Sequence, residues 1–61
     1  MSPQLVGILA AIAAAQARIA GMQAFNQHRL SHGESIGYNE DAFNYEAAYL
    51  DQLSIEARNA Q

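Results

Sequence analysis

The only proline in the chain is Pro3, and from there to about His32 alanine is abundant and apolar residues recur at helical spacing. That pattern predicts one long helix. Ser2 can cap its free N–H groups, and Pro3 loses nothing at the first helical position, where the N–H has no intrahelical acceptor. At the other end His28, Arg29 and His32 bring cations to the negative end of the helix dipole, and Gly33 can take the left-handed stop. Gly7 and Gly21 weaken the helix slightly, by about 1 kcal/mol each relative to alanine.

Gly33 to Tyr38 interrupts the periodicity with two glycines and Ser35, and reads as a connection. A second helix follows over about 39–60. Asn39 is its natural cap, Glu40 and Asp41 suit the positive first turn, Tyr38 and Phe43 are spaced to staple the entry, and Arg58 sits in the closing turn. No β pattern, repeat or low-complexity linker is present. The expected fold is therefore all-α: a single antiparallel helical hairpin over residues 1–61, with helices at about 3–32 and 39–60 and a loop at 33–38.

A chain of 61 residues has little interior, and thirteen of its apolar residues are alanines that each remove little surface from water. Small folds of this kind need a staple. With no cysteine, disulfides and thiolate metal sites are excluded, leaving oligomerisation or very good helix packing. The two helices also differ in length, roughly 45 Å against roughly 33 Å at about 1.5 Å per residue. Counting outward from the loop sets position 29 opposite 42 and position 18 opposite 53. Residues 3–10 then overhang, exposing Leu5, Val6, Ile8 and Leu9.

Large residues on the first helix, Leu5, Ile8, Leu9, Ile12, Ile19 and Met22 with Phe25 and Leu30 flanking, form one stripe. Phe43, Ala47, Leu50, Leu53 and Ala57, bordered by Tyr49, answer it on the second. These are the expected hairpin core. A separate row of Val6, Ala10, Ala13, Ala17, Ala20 and Ala24 keeps side chains small along a whole face, so that a second helix can approach closely. On the second helix Tyr45, Ala48, Gln52 and Ile55 form a row off the core. The interface assigned from these patterns is Leu5, Val6, Ile8, Leu9, Ala10, Ala13, Ala17, Ala20, Ala24, Tyr45 and Ile55. Gln16, Gln23 and Asn26 border the seam, Glu46 is read as reaching to solvent from the core edge, and Arg29 as pairing near Asp41 or Ala42 across the turn.

Several function classes are disfavoured. All six acids lie from Glu34 to Glu56, there is no lysine, and a formal charge of −3 with three scattered arginines offers no footprint for phosphates, so no nucleic-acid partner is expected. Residues 1–17 carry no charged side chain, yet the run is short for a span and is ended by Arg18. Ala15-Gln16-Ala17 resembles a cleavage signal, but no basic residue precedes the apolar run as a signal peptide requires. A cytoplasmic location and no membrane partner are the expectation. Serines lack a base and orienter nearby and the acids are dispersed, so no enzyme and no cofactor are expected. His28 and His32 share one side of the helix, but two ligands do not close a zinc site, and they are read as helix-end cations without metal. What remains is a non-enzymatic structural or protein-interaction module that self-associates, as a homodimer forming a four-helix bundle or as a higher oligomer. The alternatives are a regulatory binder offering an apolar helix face to a different protein, and a membrane-surface peptide.

Overall fold

The computed structural model describes residues 1–60. Two helices, α1 (Pro3–Ser31) and α2 (Glu40–Asn59), pack against each other as a hairpin measuring 47 × 17 × 9 Å. At about 1.5 Å per residue α1 alone accounts for nearly all of the long dimension.

Both helices begin and end where local chemistry requires. Ser2 is extended, and its Oγ accepts from the Leu5 N–H at 3.0 Å. At the far end Gly33 has φ of +74°, with its N–H on the Leu30 carbonyl at 3.1 Å and the Glu34 N–H on the Arg29 carbonyl at 2.9 Å. This pairing of nested bonds closes α1 by the Schellman arrangement, which needs a residue free of Cβ strain at the left-handed position. Asn39 caps α2 in turn, its Oδ1 accepting from the Ala42 N–H at 3.1 Å.

The seam follows a strict seven-residue step. Ile8, Ala15 and Met22 are buried on α1, and Glu46 and Leu53 on α2. Leu5, Ile12 and Ile19 flank them half-buried, as do Phe43, Tyr49, Leu50 and Ala57 on the other helix. Ala15, absent from the expected core stripe, is fully enclosed at 0% exposure. Leu9, Phe25, Leu30 and Ala47, all expected in the core, are exposed. The reason is width: one helix of partner covers only a narrow stripe, and a residue next to Ile8 in sequence is turned about 100° away from it.

The register also differs from the count outward from the loop. Arg18 joins Glu46 rather than facing position 53, a displacement of one heptad along α2. The connection lies back along α1 and is held there by Asn26. Its Oδ1 accepts from the Gly37 and Tyr38 N–H groups at 3.0 and 2.9 Å, and its Nδ2 donates to the Tyr38 carbonyl at 2.8 Å. Tyr38, expected to staple onto Phe43, meets the Phe25 ring edge-on with centroids 5.5 Å apart. Gly37 is needed beneath that ring, since a Cβ there would run into Phe25. Arg29 does not cross to Asp41 or Ala42; it donates through Nε to the Ser35 carbonyl at 2.6 Å and pairs with Glu34 at 3.4 Å.

Because α2 starts further back, it also reaches further. Ten residues before Arg18 and ten after Glu46 bring Ile8 level with about Glu56, inside α2. The predicted overhang of residues 3–10 is therefore corrected: Ile8 belongs to the hairpin's own seam and Leu5 is half-covered.

Candidate interaction surface

With Ile8, Ala15 and Met22 fixing the inward direction of α1, a helical step of about 100° places Val6, Ala13, Ala17 and Ala24 close to the opposite side. Ala10 and Ala20 fill the same face, and all six are exposed. From Val6 to Ala24 the row runs about 27 Å at 1.5 Å per residue. No charged side chain stands in it, since Arg18, the one charge between Met1 and His28, belongs to the seam side. Val6 and Leu9 at its leading end are 53% and 44% exposed. Gly7 and Gly21, on the flank of α1 between the seam and this row, are open to solvent, and a Cβ on either would meet nothing within 4 Å. The hairpin itself thus gives no packing reason for glycine at either position.

The α2 row is separate. Tyr45 is 74% exposed and Ile55 49%, and Ala48 and Gln52 between them are exposed too. Tyr45, Ala48, Tyr49 and Gln52 line a shallow depression of about 160 Å³. Ala48 and Ile55 lie on the side of α2 turned away from α1, whereas Tyr45 borders the seam near Arg18 and the alanine row points away from α2. The structure therefore does not merge the two rows into one patch. Of the eleven interface residues assigned from sequence, Ile8 is buried and Leu5 half-buried; the other nine lie in solvent.

Between these surfaces sits one ion pair across the seam. Arg18 donates from Nε to Glu46 Oε1 at 3.1 Å and from Nη2 to Oε2 at 3.0 Å, with the guanidinium 5.7 Å from the Tyr49 ring centroid. Glu46, read from sequence as solvent-facing, is only 9% exposed; it holds the same heptad position as Leu53 one repeat earlier. Arg18 lies half in water and bends its head group inward, as long cationic side chains do at the edge of an apolar seam. Hydrogen bonding to Glu46 raises the Arg18 pKa above its ordinary value, against a smaller opposing effect of desolvation. Among the described residues no buried side-chain nitrogen or oxygen is left unpaired.

Sequence reasoning missed three participants: Ala15, the Arg18–Glu46 pair, and Asn26 as a loop clamp. The seven-residue step through 8, 15 and 22, matched by 46 and 53, could have revealed the first two. Nothing local to Asn26 announces its three bonds to a segment eleven and twelve residues later.

The chain matches no protein-family model, no curated protein and no solved structure.

Proposed function

We propose that this protein is a non-enzymatic helical module whose role is self-association through the outer face of α1. The observation that carries the reading is the uncharged, exposed row from Val6 to Ala24 on the side of α1 opposite its partner helix. Alanines let two helix backbones come close, so dispersion accumulates along the whole contact without large knobs. A homodimer built this way sets both α1 helices at the centre and both α2 helices outside, a layered four-helix array with the acidic helices facing water. Val6, Leu9, Ala10, Ala13, Ala17, Ala20 and Ala24 line the contact, with Leu5 at its edge. Tyr45, at the edge of the seam near Arg18, and Ile55, on the far side of α2, are left for a second contact that would extend the dimer to a higher oligomer.

Sedimentation equilibrium tests this directly. The wild type should have dimer mass or more at micromolar concentration, and Ala13→Glu should reduce it to the monomer while circular dichroism stays helical. A monomeric wild type, or an unchanged mass in the variant, refutes the reading.

One observation favours a second occupant for the same face. α1 is 29 residues long with a mean hydropathy of 1.7 over its most apolar 18-residue window, of which only 11% is buried, so by length and composition it could cross or lie on a bilayer. Against this stand the absence of a basic polar face and the five acids of α2. Co-sedimentation of the wild type with neutral phosphatidylcholine vesicles, lost in Ala13→Glu, would favour the bilayer over a second copy.

A further inference from the structure

At the end of α1, on no surface considered so far, His28 and His32 lie with ring centroids 4.3 Å apart and planes inclined at 41°, both open to solvent. Spacing alone makes such a pair unremarkable. The hydrogen bonding around His32 adds something the sequence does not contain. Its Nδ1 is 2.8 Å from the His28 carbonyl and 3.1 Å from Ser31 Oγ, and the Ser31 hydroxyl itself donates to that same carbonyl at 2.7 Å. A carbonyl only accepts, so Nδ1 is the donor, and the neutral ring carries its lone pair on Nε2. A backbone carbonyl that fixes ring orientation and tautomer from the far nitrogen is the usual support of a metal-bound histidine.

We propose that His28 and His32 form a two-imidazole site for a divalent transition-metal cation of the class that prefers nitrogen ligands, represented by Zn²⁺. His32 is held through Nδ1 by the His28 carbonyl, and the His28 ring four residues earlier on the same side of the helix supplies the second imidazole. The negative end of a long helix dipole favours a cation at this position. Among the described residues no cluster of three or more potential ligands occurs, and the nearby Glu34 is engaged by Arg29 at 3.4 Å. Water completes the coordination. Such a bridge ties the final turn of α1 to its cap and reinforces the stop at Gly33.

The test is titration of the full chain with zinc chloride at about pH 7.5, where imidazoles compete with few protons, read by the NMR signals of the two imidazole rings. These report the site locally, whatever the stability of the hairpin. Saturable binding of one Zn²⁺ per chain is expected, with both rings perturbed and affinity at least about tenfold weaker in His28→Ala and in His32→Ala. Glu34→Gln should bind as the wild type does, and Mg²⁺ should leave the rings unmoved. Failure of the wild type to saturate, or equal affinity in the His28→Ala/His32→Ala double variant, would overturn the proposal; so would a loss of binding in Glu34→Gln, which would make the site something other than two imidazoles.

Discussion

Along the inward face of α1, Ile8, Ala15 and Met22 are enclosed against α2, while on the outward face of the same helix Val6, Ala13, Ala17 and Ala24 lie bare. Both faces are apolar, both repeat at helical spacing, and alanine occurs on each. Burial of α1 is limited by the supply of partner surface, because one antiparallel helix covers one stripe and no more. A helix this apolar, with a single partner, is left with an unsatisfied side.

The widest separation between the two faces should come from placing the same charge on each. Ala15→Glu buries an unpaired carboxylate at a fully enclosed position, a class of change that costs more than about 4 kcal/mol. A chain of this length has about 3–9 kcal/mol in total at typical per-residue stability, so helical circular dichroism should collapse or nearly so. Ala17→Glu, two residues on, should alter the stability of the hairpin itself by no more than about 0.5 kcal/mol, as surface substitutions do. If denaturant melts show comparable losses in the two variants, the faces are not distinct in the way described. An intermediate effect is expected at the loop. Gly37→Ala drives a Cβ into the Phe25 ring and should cost about 1–3 kcal/mol, as overpacking does, with Phe25 and Tyr38 losing their edge-on contact in NMR spectra. Smallest are Gly7→Ala and Gly21→Ala. Each should stabilise an isolated hairpin by roughly 0.5–1 kcal/mol, because neither Cβ meets anything. A gain in monomer stability accompanied by a loss of oligomer mass would show that a neighbouring helix uses those two positions.

Local chemistry is legible in the sequence. Ser2 and Asn39 cap as their side chains dictate, Gly33 takes the left-handed turn, and alanine-rich periodicity marks α1. Features that depend on residues far apart in sequence are not. Side-chain size points Leu9, Phe25 and Leu30 inward and passes over Ala15, whereas enclosure follows geometric position in the seam and not bulk. A count outward from the loop misses the register by a heptad because Asn26 draws Gly37 and Tyr38 back onto α1. From that one displacement follow the covered Ile8 and the meeting of Glu46 with Arg18.

By itself the sequence determined that two helices form, where each begins and ends, and that α1 carries more apolar surface than one partner can cover. Those are consequences of propensity, capping and side-chain period, all set within a few residues. Only the tertiary structure decided which alanines are inside, which charge pair crosses the seam and which end of α1 is sheltered. The first depends on which way α1 is turned about its axis, the other two on how far α2 slides along α1, and that sliding is fixed by contacts between residues eleven to twenty-eight positions apart.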